Sequence, residues 1–129
     1  MNTPKPARIL IVDDATVVRL YYRHLLERDG YRVDEALNGI EGLEKALRIS
    51  YDLCIVDVNM PLMDGYAFLQ ALRRDPSTRN LPTLVTTTQA HKQDIAAARK
   101  AGATAYLVKP VPADLLANHV AALLNPLPV

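Results

Sequence analysis

Short apolar runs alternate five times with longer amphipathic segments along the 129 residues of this chain. Apolar runs of this length are typical of buried strands, and the segments between them are long enough for helices. Such alternation predicts an α/β fold, in which helices cover both faces of one parallel sheet. The predicted strands are Arg8–Asp13, Arg32–Ala36, Leu53–Asp57, Thr83–Thr87 and Ala105–Val108. The predicted helices are Thr16–Asp29, Ile40–Arg48, Tyr66–Arg73, Gln93–Lys100 and Ala113–Leu124.

Turn-forming residues separate these segments and support their bounds. Gly30 follows the first helix, Gly102 follows the fourth, and Asp75-Pro76-Ser77 follows the third. The first helix is expected to turn an apolar face to the sheet. Its members are Val17, Val18, Leu20, Leu25 and Leu26.

Composition and charge limit the classes of function. We expect one domain over residues 8–124, with flexible ends at 1–7 and 125–129. Fifteen basic and fourteen acidic residues give a net charge of +1, so electrostatics offers no reason for nucleic-acid or membrane binding. The N-terminus lacks the apolar core of a signal peptide, and no apolar stretch approaches the ~20 residues of a membrane span. The single Cys54 fits a buried strand residue in a cytoplasmic protein.

Acidic residues follow two of the predicted strands. Asp13 and Asp14 come directly after Ile9–Val12, and Asp57 comes directly after Leu53–Val56. Because functional groups of open α/β sheets gather outside the carboxyl ends of the strands, these carboxylates are expected at one rim. At about 5 Å and an effective dielectric constant of about 20, each pair would repel by roughly 3 kcal/mol. A divalent cation that prefers oxygen ligands would offset this repulsion.

The same rim receives other polar groups. The fourth strand ends in the three hydroxyls of Thr86, Thr87 and Thr88, and Lys109 follows the fifth strand. Carboxylates, a hydroxyl and an ammonium group together can hold a divalent metal and a phosphoryl group.

Four segments at these strand ends resemble the receiver domain of two-component response regulators, and the likeness is greatest to single-domain, chemotaxis-type regulators. They are Ile11–Asp14, Asp57–Gly65, Leu84–Ala90 and Gly102–Pro110. The resemblance runs from about Arg8 to about Leu124. It implies a doubly wound, flavodoxin-like fold of five parallel strands in the order 2-1-3-4-5, with five helices.

The resemblance also implies residue roles. Asp57 would be the phosphoacceptor, a carboxylate nucleophile that forms an acyl phosphate. Asp13 and Asp14 would hold Mg²⁺ directly or through water, and Asn59 would offer the metal its backbone carbonyl. Lys109 would pair with the phosphoryl oxygens.

A switch and its geometry are implied as well. Thr87 would hydrogen-bond the phosphoryl group, and Tyr106 would turn inward when Thr87 moves. We choose Thr87 because it lies five residues after Pro82, as in the family; Thr86 and Thr88 stay open as alternatives. The bond between Lys109 and Pro110 is expected to be cis, as in the family.

The resulting interpretation is a Mg²⁺-dependent phosphorylation switch rather than an enzyme acting on other molecules. A histidine kinase or phosphotransfer protein would phosphorylate Asp57, and the surface of the fourth helix, fifth strand and fifth helix would then change its protein partner. A monomer or a phosphorylation-linked dimer fits this interpretation. Because no further domain follows the fifth helix, output is expected through protein contact, unless the chain is a domain of a larger regulator or hybrid kinase.

Three alternative functions share parts of this pattern. A haloacid-dehalogenase-like phosphatase needs an Asp-x-Asp motif after its first strand, whereas this chain has Asp13-Asp14-Ala15 there. A flavodoxin would have to place a flavin phosphate beside Asp13 and Asp14, which would repel it. A phosphorylation-independent interaction module remains open.

Several residues beside the predicted site have other expected roles. Thr88 is bulkier than the residue usual in the family and is expected to slow phosphorylation by small donors. Asn59 and Gln89 flank the site and would tune hydrolysis of the acyl phosphate. The histidines lack metal-ligand spacing and are expected at the surface or its boundary; they are His24, His91 and His119. Three arginines of the first helix are expected to form either a solvated face or a kinase-docking surface; they are Arg19, Arg23 and Arg28.

Overall fold

The computed structural model describes residues 5–60, 62–88 and 91–125, in which five strands alternate with five helices. The strands are β1 (Arg8–Val12), β2 (Arg32–Ala36), β3 (Leu53–Asp57), β4 (Thr83–Thr87) and β5 (Ala105–Val108). The helices are α1 (Thr16–Arg28), α2 (Gly39–Arg48), α3 (Gly65–Arg74), α4 (Lys92–Ala101) and α5 (Ala113–Leu124). Every predicted element is present, and each bound lies within one residue of its predicted place.

All strand pairings are parallel, and the strand order is β2-β1-β3-β4-β5. The predicted fold, a doubly wound five-stranded parallel sheet in the order 2-1-3-4-5, is therefore confirmed. Since all strands run the same way, their carboxyl ends share one rim, and β1 and β3 are neighbours there. In the register of the sheet, Asp57 lies beside Thr86, and Thr87 lies beside Val108.

Side chains of each strand alternate between two hydrophobic cores, one on each face of the sheet. One core joins Leu10, Cys54 and Val85 to Phe68 of α3. The other joins residues of the same strands to α1 and α5; it includes Ile9, Ile55, Leu84, Tyr22 and Leu116. Cys54 is fully buried, as predicted, and this burial raises the pKa of its thiol.

Local capping explains where the helices begin and end. Asn38 and Asp64 each accept a hydrogen bond from a backbone N–H in the first turn of α2 and α3, at 2.9 Å in both cases. Gly102 ends α4 in the left-handed region, with φ of 116°, and its N–H bonds back to the helix.

The predicted apolar face of α1 is partly wrong. Leu25 and Leu26 are buried as expected, but Val17 and Leu20 are 79% and 55% exposed. Arg19, which was expected in solvent, is buried instead. The helix faces the sheet with the stripe that contains Arg19, Tyr22 and the two buried leucines. Val17 and Leu20 therefore point outward, whereas Val18 is half-buried against the core.

Two predictions about the ends of the chain stay predictions. Flexibility of 1–7 and 125–129 is not tested, and residues 1–4 and 126–129 lie outside the described part of the chain. None of the helices in the described ranges combines the length and the apolar character that a membrane crossing requires.

Candidate functional site

Three carboxylates meet at the carboxyl rim of the sheet. Oxygen atoms of Asp13, Asp14 and Asp57 lie within 4.8 Å of one another. Asp13 follows β1 and Asp57 ends β3, so adjacent parallel strands bring them together. Asp13 is 1% exposed and Asp57 5% exposed, whereas Asp14 faces solvent. The cluster is thus buried on the protein side and open on one side.

Lys109 lies between two of these carboxylates. Its Nζ is 2.8 Å from Oδ2 of Asp13 and 3.2 Å from Oδ2 of Asp57. Burial alone would lower the pKa of the lysine, but the hydrogen bond to Asp13 and the charges of both carboxylates raise it. Lys109 is therefore a fixed cation in this site.

The surroundings of Asp57 favour protonation of its carboxylate or a cation beside it. Burial raises the pKa of its carboxyl group above the usual range, although Lys109 and a hydrogen bond from the backbone N–H of Asn59 oppose the shift. That N–H lies 3.1 Å from Oδ1 of Asp57. The nearby charge of Asp13 adds to the rise in pKa. A cation or an electrophile at this rim would relieve the cost of the ionised form.

Gly65 brings the start of α3 against the end of β3. A Cβ atom at Gly65 would lie 2.7 Å from the backbone oxygen of Asp57 and 2.7 Å from Cα of Val58, which leaves no room for a side chain. The N–H of Gly65 also donates to the carbonyl of Val58 at 3.0 Å. This packing against Asp57 gives the glycine a structural role.

The three threonines after β4 have different surroundings. Thr86 and Thr87 are fully buried, and Thr88 is exposed. Thr86 shares a side-chain hydrogen bond with Tyr22, whereas Thr87 shares one with Tyr106. The pairing with Tyr106 supports Thr87, among the three hydroxyls left open by the sequence, as the residue that is coupled to this aromatic side chain.

The segment after β5 fixes the backbone of Lys109. Its N–H donates to the carbonyl of Thr87 at 2.6 Å, and the Lys109–Pro110 peptide bond is cis, as expected. Thr88, Lys109 and Pro110 line one side of a cavity of about 220 Å³, which Tyr21 of α1 helps to close. Gln89 lies outside the described residues.

Sequence reasoning missed two residues beside the site. Arg19 is buried and donates through Nη1 to the backbone carbonyl of Asp13 at 2.6 Å. The hydroxyl of Tyr22 lies in the core beneath the rim, where burial raises its pKa and the charges of Lys109 and Asp13 act on it. The signal was the helical spacing of Arg19, Tyr22 and Leu26, which share the stripe of α1 that faces the sheet.

The donor set of the rim fits a hard divalent cation. Its three side-chain ligands are carboxylate oxygens, which Mg²⁺ and Ca²⁺ prefer, and their spacing allows one ion to contact all three. Each carboxylate oxygen of Asp13 accepts one hydrogen bond, Oδ1 from the N–H of Ala15 at 2.9 Å and Oδ2 from Nζ of Lys109 at 2.8 Å. Chemically, the rim can hold a cation and neutralise an anion beside Asp57.

Comparison with known proteins shows which family this chain belongs to. Residues 9–121 match the family model described as the response regulator receiver domain. A DNA-binding dual master transcriptional regulator, RpaA of Synechocystis, is 37% identical over 118 residues, which are 92% of this chain and 49% of that protein. The chain spans between 10% and 49% of the length of three curated relatives that it matches.

Solved structures agree with the sequence relatives. The chemotaxis protein CheY4 of Vibrio cholerae is 35% identical, with a TM-score of 0.88 over 92% of this chain and 98% of that one. The receiver domain of the sensor histidine kinase PA1611 of Pseudomonas aeruginosa is 28% identical, with a TM-score of 0.86 over 92% and 98%. The latter structure has a magnesium ion coordinated in its active-site cleft. The chain therefore belongs to the receiver domains of two-component signal transduction.

Proposed function

We propose that Asp57 accepts a phosphoryl group in a Mg²⁺-dependent reaction and that the acyl phosphate switches the protein contacts of this domain. Receiver domains take phosphoryl groups from histidine kinases or phosphotransfer proteins, and they bind Mg²⁺ at an acidic pocket. The observation that carries the proposal for this chain is the convergence of three carboxylates and Lys109 at one rim.

The reaction is a displacement at phosphorus. An oxygen of Asp57 attacks the phosphoryl group of a phosphohistidine, the P–N bond breaks, and its electron pair stays on the imidazole. Bound Mg²⁺ would supply neutralisation of the phosphoryl oxygens. Asp13 and Asp14, with the backbone carbonyl of Asn59, would hold that ion. The ammonium group of Lys109, which contacts Asp13, would move to pair with the arriving phosphoryl oxygens.

The switch begins at the bond between Thr87 and Tyr106. A phosphoryl group on Asp57 adds up to about two negative charges, which attract the Thr87 hydroxyl. Once Thr87 turns to the phosphoryl group it no longer bonds Tyr106, and the tyrosine ring can move inward. Tyr106 lies on β5, so its movement changes the surface of α4, β5 and α5. We propose that surface, which exposes Val108 and Leu115, as the contact for a downstream protein.

The phosphodonor would dock on α1. Val17, Leu20 and Tyr21 expose apolar surface on the outer stripe of this helix. The hydroxyl of Tyr21 donates to the carbonyl of Val111 at 3.2 Å, which ties the stripe to the segment after Lys109. A helix that carries a phosphohistidine could cover this apolar surface and reach the open side of the rim.

Other parts of the proposal concern the domain as a whole. Residues 8–124 would form the functional unit, with flexible ends, in the cytoplasm. We propose neither nucleic-acid nor membrane contact, and either a monomer or a dimer that forms on phosphorylation. The domain would catalyse its own phosphorylation and dephosphorylation alone.

Mass spectrometry after exposure to acetyl phosphate and Mg²⁺ tests the proposal. We expect one added phosphoryl group, located on Asp57. It should not form when EDTA replaces Mg²⁺ or when Asp57 is changed to Asn. Asp64→Asn is the matched control, because Asp64 lies in the same loop and caps α3 but is not one of the three carboxylates that meet at the rim. Labelling that persists in Asp57→Asn would contradict the assignment.

The alternative function, which the comparisons do not favour, is an interaction module that works without phosphorylation. It predicts no labelling of the wild-type chain by any donor, and partner binding that Asp57→Ala leaves unchanged. Beryllofluoride, which mimics an acyl phosphate, separates the two functions, because only the phosphorylation switch responds to it.

A further inference from the structure

Arg19 is a charged side chain buried directly behind the acid cluster, with 6% of its surface exposed. Each nitrogen of its guanidinium group has an acceptor. Nη1 donates to the backbone carbonyl of Asp13 at 2.6 Å, Nε to Oε1 of Glu35 at 2.9 Å, and Nη2 to Oγ1 of Thr16 at 3.2 Å. Such a fully engaged fork holds its partners in one geometry.

Glu35 fixes Arg19 from the side of β2. Its other carboxylate oxygen accepts from Nη1 of Arg23 at 2.6 Å, and its backbone carbonyl accepts from Nζ of Lys45. Burial alone would raise the pKa of Glu35, but the hydrogen bonds from Arg23 and Arg19 lower it below its usual value. Glu35 is therefore ionised at neutral pH, and Arg19 is held between β2 and the turn after β1.

That turn carries both Asp13 and Asp14. The N–H of Asp13 donates to the carbonyl of Ala36 in β2 at 3.2 Å, and its carbonyl accepts from Arg19. The backbone of Asp13 is thus tied to β2 twice, once directly and once through Arg19 and Glu35. The direction in which the two carboxylates point depends on this backbone.

We propose that Arg19 is a positioning residue for the cation site: by holding the carbonyl of Asp13, it aims the Asp13 and Asp14 carboxylates before Mg²⁺ binds. This inference rests on the proposed Mg²⁺ site. Arg19 does not touch the ion; its guanidinium group acts through the backbone of Asp13. Removing it takes the guanidinium donor from the carbonyl of Asp13 and from Oε1 of Glu35, whose carboxylate keeps only its bond from Arg23, so the turn can tilt and the preformed site is lost.

Arg19→Met tests the role, with Arg23→Met as matched control. Both changes remove a cation from Glu35, but Arg23 does not contact Asp13. Mg²⁺ titrations followed by NMR amide shifts should give about tenfold weaker binding for Arg19→Met, the size usual for residues that orient metal ligands. Arg23→Met should bind Mg²⁺ as the wild type does. Equal affinities in Arg19→Met and wild type would overturn the inference.

Arg19→Lys separates geometry from charge and remains informative if the methionine variant does not fold. A lysine keeps the charge but lacks the planar fork that reaches Asp13, Glu35 and Thr16 together. We expect Mg²⁺ binding by Arg19→Lys to be weaker than in the wild type, by at least about threefold. Full recovery of affinity by lysine would contradict positioning through geometry.

Amide hydrogen exchange of the metal-free proteins gives a readout that does not depend on Mg²⁺. The N–H of Ala15, which bonds Oδ1 of Asp13, should exchange faster in Arg19→Met than in Arg23→Met. If the wild-type chain binds no Mg²⁺, the proposed metal site is wrong, but the exchange rate of the Ala15 N–H still reports on the turn. If that rate is the same in Arg19→Met as in the wild type, the positioning role alone is wrong.

Discussion

The ammonium group of Lys109 makes its shorter contact with Asp13, at 2.8 Å, rather than with the proposed phosphoacceptor. The amine lies between the carboxylates of Asp13 and Asp57 and is the counter-ion of both. A phosphoryl group on Asp57 would have to draw Lys109 away from Asp13. Mg²⁺ beside Asp13 would ease that transfer, because it replaces the charge that the lysine removes.

Lys109→Met should destabilise the metal-free protein by about 2 kcal/mol, because two buried carboxylates lose the cation between them. Added Mg²⁺ should restore more free energy of unfolding to this variant than to the wild type. Urea denaturation with and without MgCl₂ measures both effects. Lys92→Met, at an exposed position of α4, is the control and should respond to Mg²⁺ as the wild type does. An equal Mg²⁺ effect in all three proteins would contradict the prediction.

Asp57→Asn should stabilise the metal-free fold at neutral pH by about 1 kcal/mol. Burial raises the pKa of Asp57, so the folded state prefers the protonated carboxyl group. Wild-type stability therefore falls as the pH rises through that raised pKa, and the asparagine variant escapes this loss. The gain should disappear below the pKa of an aspartate in the unfolded chain. Urea titrations at several pH values check this, and a gain that does not vary with pH would refute it.

The sequence predicted the fold to within one residue at each element bound. Strands buried on both faces, such as Leu53–Asp57, show as continuous apolar runs, and turn residues such as Gly102 mark the helix ends. The orientation of α1 was harder to predict, because this helix carries two apolar stripes. Which stripe is buried depends on tertiary contacts of Arg19 with Asp13 and Glu35, and helical spacing alone does not reveal these.

The residues that form the candidate site could be predicted from the sequence, but the contacts among them could not. Parallel strand ends had to bring Asp13 and Asp57 together, and the resemblance supplied their roles. The position of Lys109, nearer to Asp13 than to Asp57, depends on side-chain contacts that no sequence pattern encodes. The pairs Thr87–Tyr106 and Thr86–Tyr22 likewise depend on which face of the sheet each hydroxyl points to.

Leu62→Asn should stabilise the protein by about 1 kcal/mol. Leu62 adopts a left-handed backbone conformation, with φ of 71°, and its side chain is 81% exposed. Leucine is strained in this conformation, whereas asparagine tolerates it, and little buried surface is lost by the change. Urea denaturation measures the difference. Leu47→Asn, which changes an exposed leucine within α2, should instead lower stability through its poorer helix propensity. Equal losses in both variants would argue against strain at Leu62.

Tyr106→Phe should tighten beryllofluoride binding in the presence of Mg²⁺ by about fivefold, which corresponds to one neutral hydrogen bond of about 1 kcal/mol. In the wild type the Thr87 hydroxyl must leave Tyr106 before it bonds the phosphoryl mimic. Phenylalanine removes that competition and keeps the ring. Titration calorimetry compares the affinities. Tyr66→Phe, a nearby tyrosine of α3, should leave them unchanged. Weaker binding by Tyr106→Phe would show that the tyrosine hydroxyl supports the bound state.

Thr88→Ala should speed phosphorylation by acetyl phosphate about threefold, a barrier lower by roughly 0.6 kcal/mol. Thr88 is exposed at the rim and lines the cavity beside Lys109 and Tyr21, where its bulk narrows the approach of a small donor. Thr88→Ser keeps the hydroxyl and loses only the methyl group, so a rate between those of threonine and alanine would assign the effect to bulk. Initial rates at fixed Mg²⁺ provide the measurement. An equal or slower rate in Thr88→Ala would show that the bulk of Thr88 does not limit the access of small donors.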